Sequence, residues 1–69
     1  MRKELKRSRL LADLTQKELA EILGVSQQTI SKHELGHATP NRLAIIRKYE
    51  EALGVKAHLL FPDIFKIHI

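Results

Sequence analysis

The chain has 69 residues, 43% of them hydrophobic, and 12 Lys and Arg against 8 Asp and Glu give a formal net charge of +4. That length allows one small domain, which buries only about 60% of its unfolded surface and has little stability to spare. With no cysteine there is no disulfide and no thiolate metal site, and no apolar run approaches the ~18 residues of a membrane span.

The basic start, Met1 to Arg7, lacks the apolar stretch of a signal peptide. Together with the absence of cysteine, this reads as a cytoplasmic protein with no membrane partner. Excess positive charge attracts polyanions, although an ordinary solvated basic surface has the same composition. Arg2, Lys3, Lys6 and Arg7 are read as such a solvated face, some of it near enough to approach a polyanion. The only aromatic residues are Tyr49, Phe61 and Phe65. That argues against single-stranded nucleic acid and RNA, whose bases stack on exposed rings. Duplex DNA remains.

Five helical segments are expected, with no linker, repeat or low-complexity stretch. The first covers about residues 3–12, with Leu5, Arg9 and Ala12 on one stripe and Leu10 beside it. Asp13 ends it, because Asp tolerates the left-handed conformation better than most residues with a Cβ. Thr15 caps the second helix, residues 16–23, and Glu18 completes a capping box. Leu19, Ala20 and Leu23 then form one helical stripe. Gly24 stops the helix through a left-handed conformation, and Val25 plugs the gap before the next one. Ser26 caps the third helix, residues 27–35, with Ile30 facing inward and Gly36 as its stop.

A loop follows at His37-Ala38-Thr39-Pro40, since Pro lacks a backbone donor and restrains the residue before it. Asn41 is the expected cap of a fourth helix, residues 42–53. Its buried stripe reads Leu43, Ile46, Tyr49 (or Glu50 beside it) and Leu53, and Gly54 stops it. Residues 56–61 form a last turn or two, ended by Pro62. The end of the chain, from Asp63 to Ile69, has no helical signal.

A short capped helix, a tight turn and a second capped helix with a polar outer face make a helix-turn-helix, whose second helix can enter a DNA major groove. Arg9, the Thr15-Gln16-Lys17-Glu18-Leu19-Ala20 run, Gly24-Val25-Ser26, Thr29-Ile30-Ser31, Glu34 and Gly36 together resemble the phage Cro and repressor helix-turn-helix family. That family also contains the xenobiotic-response-element-type regulators. The resemblance covers about residues 5–61. It implies an all-α, compact five-helix lambda-repressor-like domain that binds duplex DNA as a twofold dimer.

Carried onto this sequence, the resemblance places Gln16 where the family contacts a backbone phosphate and braces the recognition helix. It places Gln27 and Gln28 where the family reads bases, with Ser31 and Lys32 next along the same face. A Gln amide can pair bidentately with adenine, and a Lys can reach guanine or a phosphate. Arg42 is a further phosphate candidate. Arg9 and Glu34 stand where the family has a buried ion pair, which explains charges on inward stripes. Leu35, His37 and His33 depart from the pattern. The first two stand where basic or polar residues are common, and His33 where an apolar one is.

His33 and His37 have the spacing of helical metal ligands, but Gly36 breaks the helix between them and no third ligand is apparent. His58 and His68 are isolated. No catalytic constellation emerges, so neither an enzyme nor a cofactor is expected.

The chain therefore divides into a helix-turn-helix DNA-binding domain, residues 1–62 with the motif at 15–35, and an apolar tail, residues 63–69. The expected function is a sequence-specific duplex-DNA-binding transcriptional regulator, a repressor that occupies a pseudo-palindromic operator as a homodimer. The alternative is an antitoxin-like or other protein-interaction module on the same scaffold. Seven large apolar side chains in the last eleven residues, Leu59, Leu60, Phe61, Ile64, Phe65, Ile67 and Ile69, exceed what so small a core should bury. They suggest a dimerisation element, with a short strand after Phe65 as one form of it. The opposite reading folds the tail back on its own core.

Overall fold

Local signals cut the chain into helices, and the left-handed residues mark where each one stops. A computed structural model describes residues 1–65. Among them are α1 (Lys3–Leu11), α2 (Gln16–Leu23), α3 (Gln27–Leu35), α4 (Leu43–Leu53) and α5 (Ala57–Leu60), and no strand. The domain is all-α, and the second and third helices have the bounds expected. No helix of the described residues is long and apolar enough to cross a membrane.

The capping box at the start of α2 is complete. Glu18 N donates to Thr15 Oγ1, and Thr15 N donates to Glu18 Oε1, both at 3.0 Å. The Thr15 N–H, and then the Thr15 hydroxyl, stabilise the ionised carboxylate and hold the Glu18 pKa below its ordinary value. Thr29 N donates to Ser26 Oγ at 3.1 Å and fixes the start of α3. Asp13 sits at φ 57°, and Gly24 between α2 and α3 at φ 73°. The second value is cheap only without a Cβ, so Gly24 lets the chain reverse within three residues.

Leu5, Leu19, Leu23, Ile30, Tyr49, Leu60 and Phe61 form the centre of the core and are fully buried. Burial of each aliphatic side chain of this kind contributes roughly 1.5–3 kcal/mol. Phe61 meets Tyr49 edge to face, with ring centres 5.2 Å apart. The Tyr49 hydroxyl pairs with His33 Nδ1 at 2.7 Å. Burial, and then the Glu34 charge, push the Tyr49 pKa well above its ordinary value. Burial, and then the Arg2 charge, hold that of His33 below its own. His33 thus completes a polar pair inside the core, which is why it can replace an apolar residue there.

Several sequence expectations are corrected. Leu10 is 56% exposed and Ala12 is also exposed, because α1 turns Leu5, Ser8 and Arg9 inward and ends at Leu11. Asn41 does not cap α4. Arg42 is the N-cap residue and has no side-chain cap bond, and its carbonyl accepts from Ile45 N and Ile46 N. Leu43 is 60% exposed. The buried arc of α4 runs through Ile46 and Tyr49 toward Ile45 and Ala52, which leaves Leu43 on the far flank. Glu50 does not join the apolar stripe; its Oε2 accepts from Ala57 N at 2.7 Å and caps α5.

Part of the apolar set in residues 59–65 is buried in the domain's own core. Leu60 and Phe61 belong to the core, and Ile64 packs against it. Leu59 and Phe65 are exposed. Ile67, Ile69 and the short strand considered after Phe65 lie outside the described residues.

Arg2 departs furthest from its expected solvated position. It is 6% exposed, and all five of its guanidinium N–H groups find acceptors. Nε and Nη2 grip Asp63 at 3.0 and 2.8 Å. Nη1 donates to the His33 and Ala38 carbonyls at 2.6 and 2.7 Å, and Nη2 also donates to Thr39 Oγ1 at 2.9 Å. The group lies over the Phe61 ring, 5.2 Å from its centre. Arg2 N donates to the Glu34 carbonyl at 2.8 Å. One side chain thus ties the start of the chain to the end of α3, the loop after it and the segment beyond α5.

Arg2→Ala should destabilise the domain by about 2–3 kcal/mol, because it strands buried carbonyls that charge-assisted bonds now satisfy. Lys3→Ala should change stability by about 0.5 kcal/mol or less. Thermal unfolding of the two variants checks this. A second expectation concerns pH. The lowered pKa of His33 means that, below its ordinary value of 6.5, the unfolded chain binds a proton that the folded chain refuses. Stability is fully present above that value and falls as the pH drops below it, by at most about 1.4 kcal/mol per pH unit for one proton. Urea unfolding between pH 7.5 and 5.5 should show this decline, and His33→Gln should flatten it.

Candidate nucleic-acid interface

The outer face of α3 follows from its inner one. Ile30, His33 and Glu34 point into the domain. At 3.6 residues per turn, Gln27, Gln28, Ser31 and Lys32 then share the opposite arc. Gln27, Gln28 and Lys32 are exposed, and Ser31 is half-buried. Gln27 and Gln28 begin the helix, directly after the Ser26 cap.

The helix is oriented by its last inward residue. Glu34 Oε2 accepts from Arg9 Nε at 2.6 Å, and Oε1 accepts from Arg9 Nη2 at 3.2 Å. Gln16 Nε2 donates to the same Oε1 at 3.2 Å. Arg9 Nη1 reaches the Leu14 carbonyl at 2.8 Å. Both charged side chains are buried, Arg9 8% and Glu34 3% exposed. One carboxylate therefore joins α1, the first turn of α2 and α3. The half-buried Gln16 spends one amide hydrogen on Glu34, and the second remains to donate outward.

The turn between α2 and α3 closes on Val25, which is half-buried against the core and whose N–H bonds to the Ala20 carbonyl. Arg42 comes to the edge of this region. It shares a groove of about 320 Å³ with Gly24, Val25, Thr29 and His33. Lys48, not singled out in the sequence, reaches the Leu23 carbonyl at the end of α2, at 3.5 Å. Arg2, grouped in the sequence with the solvated basic face, has nothing local to separate it from its basic neighbours. Its acceptors lie 31, 36, 37 and 61 residues away in sequence. Among the described residues no group of three metal-binding side chains comes together.

Two capped helices about a left-handed glycine, the second with an exposed polar face and an anchored inner one, define the helix-turn-helix class. The helix-turn-helix family model matches residues 5–60. The chain belongs to that family, whose fold is that of DNA-binding regulators. It is similar to an uncharacterized HTH-type transcriptional regulator of Methanocaldococcus jannaschii, 43% identical over 61 residues, 88% of this chain and 91% of that one. It is also similar to multiprotein-bridging factor 1a of Arabidopsis thaliana, 39% identical over 56 residues. That match covers 81% of this chain but only 39% of the plant protein, so the chain spans well under half the length of that relative. No solved structure matches.

Removing one partner of a buried, hydrogen-bonded ion pair costs roughly 3–5 kcal/mol, because the other charge is left unpaired. Glu34→Ala should therefore lower the melting temperature far more than Glu18→Ala, which removes only an exposed capping contact. Replacing Arg9 and Glu34 together by apolar residues of similar volume should recover much of the loss. Calorimetry on the three variants checks the order.

Proposed function

We propose that the protein is a sequence-specific duplex-DNA-binding transcriptional regulator, acting as a repressor by occupying an operator and excluding polymerase. The observation that carries this reading is the outer arc of exposed Gln27, Gln28 and Lys32 with half-buried Ser31, on a helix whose inner side is held by a buried carboxylate. Gln27 and Gln28 read bases, with Ser31 and Lys32 beside them. Gln16, through its outward amide hydrogen, and Arg42, at the groove edge, take phosphates on either side. Phosphate contacts set position, and base contacts set sequence preference. Occupancy alone does the work, and no chemical step is involved. The archaeal relative's designation as a transcriptional regulator supports the assignment.

Two recognition helices on one DNA face must stand about 34 Å apart, one helical turn of the duplex. In this reading a homodimer sets that spacing through α5 and the segment after it, where Leu59 and Phe65 are exposed. A second reading, a module whose main partner is another protein, draws on the same apolar surface and on the name of the plant relative, a multiprotein-bridging factor.

Selection from random duplex DNA tests the proposal. The chain should enrich a pseudo-palindromic site. Gln28→Ala should relax preference at one or two base pairs per half-site, by about 1–3 kcal/mol of discrimination each. Gln16→Ala should weaken all sites together and keep the profile. Enrichment of no sequence, or an unchanged profile for Gln28→Ala, would count against the base-reading role.

A further inference from the structure

α1 has a second face that neither the core nor the DNA reading uses. Leu5, Ser8 and Arg9 point inward, so helical spacing puts Lys3, Lys6, Arg7, Leu10 and Leu11 on the opposite side. Leu10 and Leu11 are 56% and 75% exposed, and Met1 beside them is 66% exposed. These six residues line an open groove of about 340 Å³. Its floor is apolar and its rim carries three cations. Arg7 touches Glu4 only at 3.9 Å and stays largely exposed, so Glu4 neutralises its charge only weakly. Single surface leucines need no explanation, but a contiguous apolar patch rimmed by charge marks an interaction site.

We infer that this face of α1 docks an acidic amphipathic segment of a partner protein, its apolar side chains on Leu10, Leu11 and Met1 and its carboxylates on Lys3, Lys6 and Arg7. Charge and apolarity choose this occupant together. A polyanion alone would meet the three cations but gain nothing from the leucines. A second copy in a twofold contact would set the cationic rim against itself. An acidic helix with one apolar stripe satisfies both parts, in the manner of helix-in-groove recognition. The face lies across α1 from Arg9, which points to Glu34 on α3, so it is turned away from the recognition helix. The inference goes beyond the DNA reading and does not depend on it.

The test uses the full chain, isotopically labelled, without DNA. The probe is a synthetic helical peptide with Leu on one stripe and Asp and Glu elsewhere. A scrambled peptide of the same composition is the control. Titration followed by NMR should give saturable shifts concentrated in residues 3–11, and much weaker binding of the scrambled peptide. Replacing Leu10 and Leu11 together by Gln keeps helix propensity and should weaken binding about tenfold or more without lowering the melting temperature. Lys3→Gln with Lys6→Gln should weaken it as well and reduce its salt dependence. Equal binding of both peptides, shifts centred outside α1, or an unaffected leucine variant would overturn the proposal. So would phosphatidylserine vesicles that bind the chain where the peptide does not, or self-association through α1 that appears without any peptide.

Discussion

The arrangement of the whole domain depends on one buried carboxylate. Glu34 takes two bonds from Arg9 and one from Gln16, and so collects three helices at a single point. A charge in that position is costly unless it is paired and hydrogen-bonded. Packing α1, α2 and α3 so that those donors meet it avoids that cost. The apolar core supplies most of the attraction but is indifferent to small rotations of a helix. The carboxylate is not, since a rotation of α3 would separate it from both partners. The angle at which Gln27 and Gln28 leave the surface is thereby set from the inside.

Short helices make this constraint matter. α3 has nine residues and α2 eight, below the length at which an isolated helix persists in water. Their order comes from caps and tertiary contacts rather than from propensity. Arg2 supplies the complementary restraint at the far end of α3. Its guanidinium holds the His33 carbonyl, and its own N–H holds that of Glu34. Glu34 is therefore gripped through its side chain by α1 and α2, and through its backbone by the start of the chain. The loop that leads to Arg42 is anchored by the same guanidinium at Ala38 and Thr39. The outer face of α3 and the loop beyond it thus share two charged anchors, the Arg9–Glu34 pair and Arg2.

What could be read from the sequence divides along the range of the interaction. Thr15 with Glu18, Ser26 with Thr29, Asp13 and the glycines act within a few residues, so the bounds of α2 and α3 were legible. Arg9 and Glu34 stood out because charges interrupt otherwise apolar stripes. Arg2 offered no such contrast, because it lies in a basic run and its carboxylate partner is Asp63. The outward placement of Leu10 and Leu43 depended on which way α1 and α4 roll against their neighbours, and spacing alone leaves that rotation open. Glu50 was ambiguous for the same reason, since its role is fixed only when α5 folds back to present the Ala57 N–H. The burial of Leu60 and Phe61 depended on the room left between α1 and α4, which no local pattern encodes.

The pairing of Tyr49 with His33 also gives the molecule an optical signature of its own. The chain has one tyrosine and no tryptophan, so its intrinsic ultraviolet emission comes from a single phenol. That phenol is fully buried, bonded to α3 through His33 and set edge-on to Phe61. It lies on the inner side of α3, away from Gln27 and Gln28. Its emission therefore registers whether α3 is seated on the core, with no dye attached and with the outer face of the helix left untouched.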